Sequence, residues 1–444
     1  MNQVNTSNLS SSGDGEDIFV LTQRGAHFTN MGNLMTSGDN ADGIRVSADG
    51  IVVRNLGTLT ASGDGSLGIV VGDPFGMHYD NVTAINLGTI NSSGGVYEDA
   101  VTLAFPDGID AFGNHETVLN YGTINALGDS VAIFTVGIGS RVINHGQINA
   151  AVGGMIADQI NGDEIGNSLI NYGNIHVTAD ESHGMAFLVG GNVALNYGNI
   201  VADGFHSFGI AMEGDGNRGE NAGSILATGE QGRGVLLLGE HLSFDNHGTI
   251  ETTGIDSVGI RFAGENLPGT DGGTFTNFGS VKAAGWAVQG SDSDDHVVNL
   301  GVMAGTIDLG AGNDLYVAGH GSSLAGELIL GEGNDLVVAQ RGFGDLTIAD
   351  FLVGGSDDVL DVSAYGYSSL DELLAHALQS GSDVVLGLSG HDQVVLEDTA
   401  LASLSANDFL FGGAGAHAIG GGFGSEFHAD AGLGMHPDAA PLAA

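Results

Sequence analysis

The sequence predicts an all-β chain: a right-handed parallel β-helix, or β-solenoid, that continues into a β-roll and ends in a small cap. Three observations predict it. An Asn-x-Gly tripeptide recurs along the chain at intervals near 25 residues. Apolar and polar residues alternate in the short stretches between turns, so one face of each is buried and the other wet. Glycine is abundant, 78 of 444 residues against only 5 prolines, in a chain that is still 42% hydrophobic. That combination suits many tight turns joining many short strands, and it excludes collagen, which needs a strict three-residue period.

The tripeptide begins at Asn30, Asn55, Asn86, Asn120, Asn144, Asn171, Asn196, Asn221, Asn246, Asn277 and Asn299. The intervals are 25, 31, 34, 24, 27, 25, 25, 25, 31 and 22 residues, and the long ones fit the same unit with an inserted loop such as 73–80. Each unit carries about three strands. One follows Asn-x-Gly, as in Thr249-Ile250-Glu251-Thr252; one follows an inner glycine, as in Gly259-Ile260-Arg261-Phe262; one precedes the next Asn, as in Val118-Leu119. None is long enough to be stable alone, so stacking of coils is required. Stacked Asn amides can then bond along the axis, with the following Gly expected in a left-handed conformation. At the spacing of paired strands the stack is a rod roughly 65–70 Å long.

Charge narrows the chemistry. With 54 acidic and 9 basic residues the formal net charge is −45. Nucleic acid is an improbable partner for such a chain, as are anionic membrane surfaces. Hard divalent cations with oxygen ligands are the natural counter-charge. Cysteine is absent, which excludes disulfides and thiolate chemistry. The first residues, Met1 to Ser7, lack a basic residue and an apolar core, so no Sec-type leader is expected there. The longest apolar run, Val131–Gly139, is too short to span a bilayer.

After Trp286 the repeat changes. Three nine-residue segments follow, beginning at Gly290, Leu309 and Leu330. They carry Asp292 and Asp295; Gly310, Gly312 and Asp314; and Gly331, Gly333 and Asp335. From its second glycine onward, the repeats-in-toxin (RTX) nonapeptide G-G-x-G-x-D-x-U-x is similar to the last two. The glycines let the turn curl so that carbonyls converge, and the Asp adds a carboxylate. One turn offers half a coordination sphere, so two stacked turns are needed to satisfy calcium's six to eight oxygens. Asp295, Asp314 and Asp335 lie 19 and 21 residues apart, about one coil each. One calcium site is therefore expected between the first two turns and a better one between the last two. Asp357 and Asp358 add a further half-site, and Asp14 and Asp17 mark an isolated turn near the start.

The stretch 344–411 resembles the C-terminal module of RTX proteins, especially that of serralysin-type metalloproteases. The matching pieces include Ile348-Ala349-Asp350-Phe351, Asp357 to Gly366, Asp392 to Glu397, and Leu401 to Phe411. The resemblance implies type I secretion through an uncleaved C-terminal signal and folding on meeting extracellular calcium. Serralysin-like chains end near the Asp-Phe-hydrophobic motif, whereas this one runs on to residue 444. Ser369–Gln379 is expected to be a short amphipathic helix with Leu370, Leu373, Leu374 and Leu378 on one face. The expected divisions are an N-terminal cap and first coil (1–29), the β-helix (30–289), RTX-like coils (290–343), a capping and secretion module (344–411) and a Gly/Ala-rich tail (412–444).

No catalytic motif is recognisable: there is no His-Glu-x-x-His and no Gly-x-Ser-x-Gly elbow. The Asn-x-Gly coils are similar to those of extracellular adhesins, so the expected role is structural or adhesive, outside the cell or on its surface. Expected partners are calcium, further copies of the chain head-to-tail or laterally, a polysaccharide or cell-surface component, and the type I secretion machinery. The enzymatic alternative is a polyuronate lyase or epimerase, whose best candidate cluster is His78, Tyr79 and Asp80 with Arg54 one coil earlier.

Overall fold

A computed structural model describes residues 2–72, 77–98, 103–158, 166–263, 271–354 and 358–412. It is a parallel β-helix. One sheet of sixteen strands, among the described residues, runs from Asn2–Asn5 to Phe409–Leu410, and every pairing in it is parallel, the last one reached only after the cap. Two further rows stack beside it. One follows each Asn-x-Gly, as Thr123–Ala126 on Gln147–Ala150; the other follows the inner turn, as Phe208–Glu213 on Arg233–Leu238. The coil is therefore three-sided.

The alternation read from the sequence sets the faces. In Thr123–Ala126, Ile124 is buried and Thr123 and Asn125 are half-buried. In successive coils Ile124, Ile148, Ile175, Ile200, Ile225 and Ile250 stand in one register and are at most 1% exposed. Each such side chain contributes about 1.5–3 kcal/mol on burial. An inner glycine makes room beside them: a Cβ on Gly209 would lie 2.3 Å from Ile225 Cγ2.

The asparagines form a continuous internal ladder. Nδ2 of Asn171 donates to Oδ1 of Asn196, Asn196 to Asn221, and Asn221 to Asn246, at 2.7–2.8 Å. All are fully buried, so each rung satisfies a polar group that would otherwise be costly. The ladder starts one coil earlier than the tripeptides do, at Asn5, which bonds Asn30 at 2.8 Å. The glycine after each Asn is not left-handed, contrary to expectation. Its role is close approach: a Cβ on Gly223 would lie 2.0 Å from the Gly198 carbonyl oxygen.

The cross-section changes at Ser280–Ser291. This twelve-residue strand pairs with both Thr249–Thr252 and Val258–Ala263, fusing two sides into one. Beyond it the coil has two faces and shortens, which is where the sequence repeat changes. The end is closed by an antiparallel meander, Ala377–Ser380, Asp383–Ser389 and Asp392–Leu396, of which the last strand joins Asp345–Ile348 in parallel. The expected helix is shorter than the sequence suggested. It spans Leu370–Leu374, with Ser369 accepting the Glu372 amide, while Leu378 lies in the first meander strand and is 65% exposed. Pairing with Asp383–Ser389 overrides the helical spacing there. No helix among the described residues is long and apolar enough to cross a membrane.

Candidate metal centre

Where the coil becomes two-sided, four aspartates stack in one column. The Asp295 amide donates to Asp314 Oδ1 at 2.7 Å, the Asp314 amide to Asp335 Oδ1 at 2.8 Å, and the Asp335 amide to Asp358 Oδ1 at 3.3 Å. Each carboxylate thus reaches back to the preceding coil. All four are at most 1% exposed. The second oxygens differ. Asp295 Oδ2 accepts from the Ser291 amide and hydroxyl at 2.8 and 3.0 Å, and Asp358 Oδ2 accepts the Leu352 amide at 2.7 Å. Asp314 Oδ2 and Asp335 Oδ2 are buried without any hydrogen-bond donor.

Burial with like charge above and below governs their acidity. Desolvation pushes the Asp314 carboxyl up to about 9, with the charges of Asp295, Asp335 and Asp294 adding to it. Burial raises Asp295 and Asp335 to about 7 and Asp358 to about 6. The column is electrostatically incomplete at neutral pH.

The turns beside the column are built for close stacking. Gly310, Gly312, Gly331 and Gly333 have φ of 97°, 139°, 95° and 151°, a region that side chains rarely adopt. A Cβ on Gly331 would sit 1.8 Å from the Gly310 carbonyl oxygen, and one on Gly333 1.5 Å from that of Gly312. Carbonyls of one turn therefore face the next. Outside them lies an open depression of about 500 Å³ lined by Asp292, Asp294, Gly312, Asn313, Glu332 and neighbours. Asp294 holds the next turn, its Oδ1 accepting the Asn313 amide at 2.7 Å.

Among the described residues no three His, Cys, Asp or Glu side chains converge to hold a metal by themselves. A cation here would need backbone carbonyls as well, which is what glycine turns offer a hard ion. The two donorless carboxylate oxygens fit such an ion.

The structure brings Asp295, Asp314, Asp335 and Asp358 together and places Asp292 on the outer rim. Asp357 lies outside the described residues. Asp14 and Asp17 belong elsewhere: Asp14 Oδ1 accepts the Asp39 amide at 3.1 Å and Asp17 Oδ1 the Asp42 amide at 2.8 Å. These carboxylates reach forward to the following coil, opposite to the C-terminal column, and Arg45 Nε pairs Asp17 Oδ2 at 2.7 Å. Sequence reasoning missed Asp294 and Asp350. The Asp350 carboxylate takes the Leu330 and Gly331 amides at 2.8 and 2.9 Å, fixing the start of a glycine turn twenty residues away. Its position in Ile348-Ala349-Asp350-Phe351 was the available signal.

The loop candidate for polysaccharide chemistry has structural work. Asp80 donates its amide to Asp49 Oδ1 at 3.2 Å and accepts the Asn114 amide at 2.9 Å. Tyr79 packs partly buried against the core. A different acid pair stands out, Asp107 and Asp110, 3% and 6% exposed and close enough to share a proton. Burial pushes Asp107 up to about 7 and Asp110 well above the usual carboxylate range. Asp110 Oδ1 has no hydrogen-bond donor.

Fold and site together define a parallel β-helix protein with a carboxylate-lined, glycine-turned C-terminal segment. Residues 2–153 match a family described as the BigA third pectate lyase-like domain. The chain is also 40% identical over 70 residues to the endo-1,3-1,4-beta-glycanase EglC of Rhizobium meliloti (strain 1021), a stretch covering 16% of this chain and 14% of that enzyme.

Proposed function

We propose that this chain is a secreted β-solenoid of the RTX type with a structural or adhesive role, ordered at its C-terminal end by calcium. The observation that carries this is the buried aspartate column with two carboxylate oxygens lacking any donor. Asp314 and Asp335, with carbonyls of the Gly310–Gly312 and Gly331–Gly333 turns, are the residues that would hold the ion. Calcium, when bound, supplies the positive charge that this column lacks. The protein's own residues do the rest: glycines bring successive turns into contact, Asp350 and Asp294 fix the turns, and the cap seals the last coil. Folding linked to calcium suits a protein that leaves a calcium-poor cytosol and acts outside, and the long regular flank suits adhesion to a polysaccharide or to further copies. Isothermal titration of the chelated protein with calcium chloride, with far-UV circular dichroism alongside, tests this. Saturable binding with a gain in β signal supports it; full order in chelator with no binding heat overturns it.

A second reading, a polysaccharide-active enzyme, is favoured by the likeness of a 70-residue stretch to EglC. Assay against mixed-linkage β-glucan and polyuronates tests it. Product formation from either substrate supports this reading, and no product from any substrate rejects it.

A further inference from the structure

The middle residue of each Asn-x-Gly turn points to solvent, and successive copies stack. The turn backbones are in register, since the amides of Tyr197, Ala222 and His247 each donate to the Asn carbonyl one coil back, at 2.7, 2.7 and 2.8 Å. Tyr121, His145, Tyr172 and Tyr197 consequently form a continuous pile of rings. Their centroids are 4.7, 4.9 and 5.1 Å apart and their planes within 13° of parallel. The pile resumes with His247 on Phe278, at 4.4 Å and 3°. Between the two runs the position is Ala222, the one small residue in a row that otherwise carries Met, Leu, Tyr, His or Phe from Met31 to Leu300.

One missing ring leaves a gap of defined thickness. Tyr197 and His247 are two coils apart, so their rings face each other across roughly 9.6 Å, twice the strand spacing. A flat group in the middle would lie about 4.8 Å from each, the separation found elsewhere in the pile. Ala222 is exposed, so the gap opens to solvent. Its edge is acidic. Glu220 and Asp245 are register partners on adjacent strands, each two residues before a turn residue of the pile. Glu220 is near enough that, after burial, its charge is the next cause raising the Tyr197 phenol. Arg218, the basic residue on this strand, is two positions farther from the turn.

We propose that this gap is a binding slot for a flat cation of one-ring thickness: an arginine guanidinium of a partner or a cationic aromatic molecule. Two aromatic faces attract such a group through their quadrupoles, and the paired carboxylates add charge complementarity. A bulky, non-planar cation gains the charge without the stacking.

The test is a fluorescence titration of the full-length chain in calcium with proflavine, at physiological salt to suppress diffuse binding. Methylguanidinium and tetramethylammonium serve as competitors, and the first separates a peptide source from an aromatic one. One saturable site is expected, displaced by methylguanidinium and at least about tenfold less by tetramethylammonium. Ala222→Tyr fills the slot and is expected to weaken dye binding at least about tenfold while raising the melting temperature, because it completes the pile. Ala222→Leu blocks the same space should the tyrosine variant fail to fold. Glu220→Gln with Asp245→Asn is expected to weaken binding severalfold with the fold intact. Equal saturable binding by wild type and the Ala222 variants overturns the proposal. So does equal competition by the two cations.

Discussion

Asp335 accepts the Asp314 amide on Oδ1 at 2.8 Å and leaves its Oδ2 buried with no donor. The same carboxylate is thus half tied to the ladder of backbone bonds and half unsatisfied.

Without calcium, stability falls as pH rises. The buried carboxyls bind protons more tightly in the folded state than in the unfolded chain, where they titrate near 3.8. The folded state therefore holds more protons between that value and about 7 for Asp295 and Asp335, and up to about 9 for Asp314. Within each window such a group removes about 1.4 kcal/mol of stability per pH unit. Scanning calorimetry in chelator should show a lower melting temperature at pH 8 than at pH 5. Saturating calcium should abolish or reverse that slope, and an unchanged slope would count against an ion at the column.

Asp335→Asn should separate apo stability from calcium response. An amide keeps the size of the side chain and removes a buried charge that has no donor on Oδ2. The chelated variant should gain about 1–3 kcal/mol over wild type in denaturant unfolding. Its stabilisation by calcium should largely vanish. Loss of stability in chelator would contradict the electrostatic account.

Asn196→Ala should be costly although the residue touches no site. It removes the donation to Asn221 Oδ1 at 2.7 Å and leaves Asn171 Nδ2 without its 2.8 Å acceptor. About 1–3 kcal/mol of lost stability is expected from the stranded partners. Asn5→Ala, at the partly open end of the ladder, should cost less, and chemical denaturation of both distinguishes them.

Gly223→Ala tests close approach against backbone freedom. The added methyl would meet the Gly198 carbonyl oxygen at 2.0 Å although the glycine is not left-handed. A loss of about 1–3 kcal/mol or more is expected, because the obstacle is backbone rather than a movable side chain. Ala222→Gly, one residue away and exposed, should stay within about 0.5 kcal/mol of wild type. Similar melting temperatures for the two variants would defeat the packing argument.

Much of this was legible in the residues. The Asn-x-Gly interval gave the coil, and alternation placed Ile124 inside and Thr123 outside, because a period of two leaves little choice of face. The change after Trp286 marked the site where a three-sided coil becomes two-sided. What escaped had no local signature. Asn5 joins the ladder through register alone, since Thr6 and Ser7 follow it instead of x-Gly. The turn glycines looked conformational, but their constraint is a carbonyl one coil away, invisible in a linear reading. Leu378 kept helical spacing yet was claimed by a neighbouring strand. Asp107 and Asp110 acquire their character from burial between the adjacent coils, which spacing does not report.

The asparagine rungs hold even where the chain between them lengthens. Asn55 bonds Asn86 at 2.9 Å across 31 residues, and Asn86 bonds Asn120 at 2.8 Å across 34. Rise per turn is thus decoupled from contour length: surplus residues leave at a corner and return without disturbing the axis. A lineage of such proteins can vary its corners freely while the shaft keeps time, and an engineer can graft a foreign peptide at the same places and read success from an unaltered pitch.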